Sequence, residues 1–170
     1  MSDQPARPVF LVGFMGAGKT TVGKVLASRL NYEFVDLDDV IEKRMGMSVQ
    51  AIFAQLGEAE FRRIEAEVLE TCREMSRTVV ALGGGAYVAA SNRELMRDIG
   101  TTVWLDCPLE VCLSRTGDDP SRPVLGSKPE MKALLDRRRS AYVMADHIVE
   151  VGTATPEEVA SEIWKLVCCD

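Results

Sequence analysis

One histidine in 170 residues, His147, leaves little with which to build a zinc centre. The five cysteines do not supply what is missing. Cys72, Cys107, Cys112, Cys168 and Cys169 show no C-x-x-C spacing, and five is an odd number for a disulfide framework. They are expected as reduced thiols, most of them packed in the core. No stretch approaches the roughly 18–20 consecutive apolar residues of a membrane span. The opening residues, MSDQPARP, are polar and lack the apolar segment of a secretory signal. Net positive charge is lacking as well, since 26 acidic and 20 basic side chains leave −6. That disfavours sequence-independent binding to nucleic acid or to an anionic membrane. The expectation is a cytoplasmic monomer whose partner is a small molecule, with neither nucleic acid nor membrane involved.

What is present suits one globular domain over 1–170, with 46% hydrophobic and 27% charged residues and no repeat or low-complexity tract. Short β-branched runs alternate with helical patterns. VFLV (9–12), EFVDL (33–37), TVVAL (78–82), TTVWL (101–105) and HIVEV (147–151) are read as five strands. Four of them are apolar enough for a sheet buried on both faces. Ser91 is placed to cap a helix running to Gly100. TPEE at 155–158 offers a threonine cap, a proline in first position and a glutamate three residues on. The alternation predicts a parallel α/β sheet whose ligands sit at the carboxyl ends of the strands. Two segments interrupt it. Residues 38–76 hold two or three helices, and 115–128 (RTGDDPSRPVLGSK) is read as a long loop suited to a lid.

Residues 13–20, GFMGAGKT, satisfy G-x-x-x-x-G-K-S/T in full. Gly13, Gly16 and Gly18 let successive backbone N–H groups turn toward one anion. A helix starting near Gly18 adds the positive end of its dipole. Lys19 brings charge to the β- and γ-phosphates, and the Thr20 hydroxyl suits Mg²⁺. Gly13, Gly16, Ala17, Gly18, Lys19, Thr20 and Thr21 are therefore candidate nucleotide ligands. Neither NKxD nor TKxD appears, so the guanine-reading signature of GTPases is missing.

The acceptor is addressed elsewhere. Asp36 and Asp38 stand two apart at the end of the second strand, sharing one side if the chain is extended there. One could hold a metal's water shell while the other meets a hydroxyl; Asp39 is read as a plain helix-start acid. In GEAEFRRIEAEVLE (57–70) the apolar stripe is Phe61, Ile64, Val68, Cys72 and Met75, with Arg62 at its border. On its own Arg62 reads as a salt-bridge partner of Glu58 or Glu65. Gly83–Gly85 follow the third strand, where backbone can approach a ligand closely. A Walker B acid is absent there, which strengthens Asp36 as the metal's acid. Arg115, Arg122 and the run Arg137–Arg139 make 115–139 locally basic in an acidic chain, as an anionic substrate requires.

In this order, the P-loop, D-x-D, GE-x-x-FR-x-x-E, GGG, R-T-G…R-P-x-L and R-x-x-x-Y resemble the shikimate kinase family over nearly the whole chain. The resemblance implies an α/β three-layer sandwich of nucleoside-monophosphate-kinase type. Its five-stranded parallel sheet has order 2-3-1-4-5, with 38–65 as substrate-binding subdomain and 115–128 as lid. It implies ATP and Mg²⁺, with Lys19, Asp38 and Arg122 catalytic. Shikimate would be held by Asp38, Arg62, Gly83, Gly84, Gly85 and Arg138. Thr20, with Asp36 acting through water, would place the metal. Arg122 would close over the phosphates, and Arg115 would lie against adenine, opposite the loop at Val151–Ala154. The family's R-x-P-L-Y is RRSAY here, so the choice of Arg138 rests on its distance from Tyr142. A kinase of another small acid, such as gluconate, and a non-catalytic ATP-sensing module are the rival readings.

Overall fold

β1 (Val9–Val12) runs between β3 (Thr78–Ala81) and β4 (Thr101–Asp106), with β2 (Glu33–Asp36) and β5 (His147–Glu150) at the edges. The order is 2-3-1-4-5 and every pairing is parallel, as expected. The computed structural model describes residues 6–116 and 126–169. Among them the helices are α1 (Lys19–Leu30), α2 (Leu37–Met45), α3 (Val49–Leu56), α4 (Glu58–Glu70), α5 (Ala90–Ile99), α6 (Leu109–Thr116), α7 (Lys128–Tyr142) and α8 (Pro156–Cys168). Two 3₁₀ turns, Thr71–Glu74 and Ala86–Val88, follow α4 and the tri-glycine segment. No described helix is long and apolar enough to cross a membrane.

Three strands, rather than four, are buried along most of their length. Phe10, Leu11, Val79, Val80, Val103 and Leu105 are sealed in the core. β2 and β5 have a neighbour on one side only, and Ile148 on β5 stays exposed. Helices α1 and α8 pack on each other, while α4 and α5 pack together and α5 against β4. Three of the five cysteines, Cys72, Cys107 and Cys112, are buried thiols; Cys168 and Cys169 are exposed.

Two local expectations are corrected. Ser91 does not cap α5, which starts at Ala90 after an Ala89 that offers no side-chain bond. The start is fixed instead by Asn92, whose amide donates to Ala86 O at 2.9 Å, and by Arg93, which donates to Tyr87 O at 3.0 Å. The second strand is one residue shorter than EFVDL, because Leu37 turns inward as the first residue of α2. The apolar stripe from Phe61 is kept through Cys72, although α4 itself ends at Glu70.

The cap of α8 forms as its sequence requires. Thr155 accepts from Glu158 N at 3.2 Å, and Glu158 returns a bond to Thr155 N at 2.8 Å. Pro156 occupies the first turn. Removing the hydroxyl leaves a helix-end N–H without its partner. Thr155→Ala is expected to lower unfolding free energy by about 1 kcal/mol in urea denaturation, with an unchanged slope.

Candidate active site

The turn from β1 into α1 is held open by backbone that other residues resist. Gly13, Gly16 and Gly18 have φ of 154°, 77° and 95°. At Gly16 space matters too, since a Cβ would sit 2.6 Å from Cys112 O on α6. Gly18 is the N-cap of α1 and contributes no side chain, so the first turn presents backbone N–H groups. Ala17 is buried, and its amide is used within the loop, donating to Phe14 O at 3.1 Å. Thr21 lies exposed on the first turn.

Lys19 folds back over this loop. Its Nζ donates to Gly13 O at 2.6 Å and to Phe14 O at 3.0 Å. Burial lowers its pKa to about 8, against the pull of Asp38, Cys112 and Asp36. Two carbonyls thus hold the ammonium where a phosphate oxygen would compete for it.

Asp36 and Asp38 do come together, but not across an extended strand. Asp36 ends β2 as the N-cap of α2, and its Oδ1 accepts from Asp38 N at 3.0 Å. Its other oxygen accepts from the Thr20 hydroxyl at 3.0 Å. Asp38 is thereby set on the first helical turn, beside Gly83, where a Cβ would fall 2.9 Å from its Oδ1. That oxygen is buried and has no partner among the described residues. Desolvation, with Asp36 and Glu65 adding repulsion, raises the Asp38 pKa to about 6; Lys19 opposes the shift. Asp39 is exposed in the same first turn and borders the cavity.

The two remaining groups approach the glycines from different helices. On α4, Arg62 donates to Glu65 Oε2 at 2.7 Å and lies 3.7 Å from Glu58. Its guanidinium occupies the space a Gly85 side chain would need. It also lies 5.1 Å from the Phe61 ring centroid. On α7, Arg138 reaches Gly84, where a Cβ would stand 2.8 Å from its Nη1, and it rests 5.8 Å from the Phe14 ring centroid. Its neighbours point elsewhere. Arg139 pairs with Asp106 at 3.1 Å, and Arg137 is exposed.

Two cavities join these parts. The larger, about 580 Å³, is lined by the P-loop, Asp36, Asp38, Gly83, Gly84, Arg115 and the α2–α3 turn. Arg62, Gly85 and Arg138 adjoin Gly83–Gly84 without lining it. The smaller, about 180 Å³, lies between Arg115, Val151, Ala154, Pro156 and Thr21. Arg115 donates to Gly16 O at 3.3 Å, between the two. Arg122 falls in 117–125 and lies outside the described residues, as does most of the expected lid.

Glu65, expected only as a salt-bridge partner of Arg62, is fully buried with Oε1 unpartnered among the described residues. Burial raises its pKa, against Arg62 and Arg138. Glu42 is a second acid of the site, one without a sequence signal. It borders the larger cavity, and its Oε1 accepts from Val49 N at 2.8 Å, tying α2 to α3. The i,i+3 spacing from Arg62 was the available sign for Glu65; no spacing marks Glu42.

Sheet order, P-loop and the charged rim beyond it define a P-loop kinase acting on a small acceptor. The family model for shikimate kinase matches residues 15–168, and the chain belongs to the shikimate kinase family. It is 46% identical over 164 residues to the shikimate kinase of Geobacter sulfurreducens, covering 95% of this chain and 91% of that one. Among solved structures it resembles the shikimate kinase of Acinetobacter baumannii in complex with shikimate. The TM-score is 0.92 at 37% identity, over 96% and 94% of the two chains. The Aquifex aeolicus shikimate kinase gives 0.83 at 41%, over 95% of each.

The raised pKa of Asp38 carries a stability cost of known sign. Between 3.8 and about 6 the unfolded chain gives up this proton while the folded chain keeps it. Stability therefore falls as pH rises through that window and stays lower above it. Asp38→Asn is expected to raise unfolding free energy at pH 7.5 by about 1–3 kcal/mol. The gain should vanish below about pH 4 in urea titrations run across pH.

Proposed function

We propose that this chain transfers the γ-phosphoryl group of ATP to the 3-hydroxyl of shikimate, releasing ADP and shikimate 3-phosphate. The observation that carries the reading is the convergence of Arg62 and Arg138, from separate helices, on one tri-glycine turn beside Asp38. Two guanidiniums suit a carboxylate, and a neighbouring carboxylate suits a hydroxyl. The acceptor is thus defined as a hydroxylated acid. The relative of known structure that binds shikimate supports the choice among such acids.

In this reading the amides of the P-loop and Lys19 hold the triphosphate at the N-terminus of α1. Arg115 and the Val151–Ala154 loop border the adenine. Arg122, known only from the sequence, closes over the phosphates as part of a 115–128 lid. Residues 38–65 form the acceptor subdomain. The reading also takes the chain as a cytoplasmic monomer.

The donor set near the phosphates fits Mg²⁺. No cluster of three metal-binding side chains occurs among the described residues. Mg²⁺ beside a nucleotide needs only one or two protein groups, the rest being phosphate and water. Thr20 and Asp36 are already in contact, and both Asp36 oxygens are engaged, which suits a contact through water. When bound, the ion neutralises charge on the β- and γ-phosphates.

The protein's own part is positioning and charge. Asp38, ionised above about pH 6, accepts a hydrogen bond from the acceptor hydroxyl and can take its proton as the phosphorus–oxygen bond forms. Lys19, buried and held by the Gly13 and Phe14 carbonyls, is placed for the phosphoryl oxygens to compete for its charge.

The test is an ADP-release assay with shikimate, gluconate and no acceptor. Turnover is expected with shikimate alone. Turnover with gluconate, or equal ADP release without acceptor, would reject the assignment. Arg62→Ala is expected to raise the KM for shikimate roughly 10–100-fold, the value of a hydrogen-bonded charge, with the KM for ATP little changed.

A further inference from the structure

Tyr142 is a polar group in the core for which the reaction as described has no use. It is fully buried, with its ring 5.7 Å from that of Trp104. Packing alone would be served by phenylalanine. The hydroxyl, however, donates to the carbonyl oxygen of Gly84. Burial pushes its pKa up to about 12, so it stays a phenol and a donor.

The partner it holds is the middle of the tri-glycine turn. A trans peptide points its C=O and its N–H in opposite directions. Anchoring the Gly84 carbonyl on a buried phenol therefore turns the Gly85 N–H away from Tyr142. Gly85 is buried, yet neither its amide nor that of Gly84 donates to any group among the described residues. A buried N–H without an acceptor, as at Gly85, is rare and points to a ligand oxygen. Arg62 crowds Gly85 and Arg138 crowds Gly84, so both amides stand next to positive charge.

Tyr142 and Arg138 lie four residues apart on α7, hence on the same face. One helix then supplies a guanidinium for the acceptor and fixes the backbone donors beside it.

We propose that Tyr142 is a positioning residue of the acceptor site, orienting the Gly84–Gly85 peptide so that its amide meets an oxygen of the bound acid. The inference rests on the assignment of this turn to shikimate. Losing the phenol frees the peptide to rotate, weakening acceptor binding while nucleotide contacts are untouched.

Tyr142→Phe tests it, because the ring keeps its place against Trp104. The expected result is a KM for shikimate raised roughly 5–20-fold, the value of one or two hydrogen bonds, with kcat and the KM for ATP within about twofold. The melting temperature should stay near that of the parent. An unchanged KM for shikimate would overturn the proposal. So would a loss of the fold, or a parallel rise of both KM values with a lower melting temperature, which assigns the phenol to the core alone. A parent enzyme inert toward shikimate would overturn the substrate assignment instead, and the parent arm reads that separately.

Discussion

At the carboxyl end of β1 the sheet parts. β3 and then β2 lie to one side, β4 and then β5 to the other, so the connections diverge and leave a crevice that no strand fills. Into it the sequence sends a loop whose glycines allow α6 to come within contact of the backbone at Gly16. The rest of the site depends on that parting. In the proposed reading the nucleotide groups come from the turn after β1, from α6 and from the segment after β5. The acceptor groups come from α2, α4 and the tri-glycine turn after β3, joined by Arg138 from α7 on the other side. Elements from both sides of one strand thus meet over the crevice, with Arg138 of α7 reaching across to Gly84.

Charge is the second constraint. Asp38 and Glu65 each bury an oxygen without a partner among the described residues, and Lys19 is held by carbonyls within its own loop. Burial pushes both acids up and the lysine down. A folded core does not gain by this. Such an arrangement costs the fold stability, and it keeps donors and acceptors oriented before a ligand arrives. Arg62 shows the same economy, since buried Glu65 and the Phe61 ring fix a guanidinium that would otherwise sample solvent.

The sheet and the P-loop were legible because local rules decide them. Five β-branched runs, the spacing of Gly13, Gly18, Lys19 and Thr20, and the Thr155 cap carry their own geometry. The D-x-D pair was placed correctly for the wrong reason. It is joined through a helix cap at Asp36, which a strand-based period could not reveal. Ser91 failed as a cap because Asn92 and Arg93 tie the helix start to a preceding 3₁₀ turn, a contact that no residue type announces. Arg138 could be counted from Tyr142, but its approach to Gly84 and its packing on Phe14 are what separate it from Arg137 and Arg139. The same contact sets the Phe14 ring of the P-loop beside Arg138.

The central claim is that the crevice sets one hydroxyl of shikimate against the terminal phosphate of ATP. Phosphorus NMR of the reaction with ATP and shikimate reads this directly. The account predicts a single new phosphate-monoester resonance coupled to the proton on carbon 3, growing in step with ADP. Inorganic phosphate in place of the ester, or an ester on another hydroxyl, would contradict it.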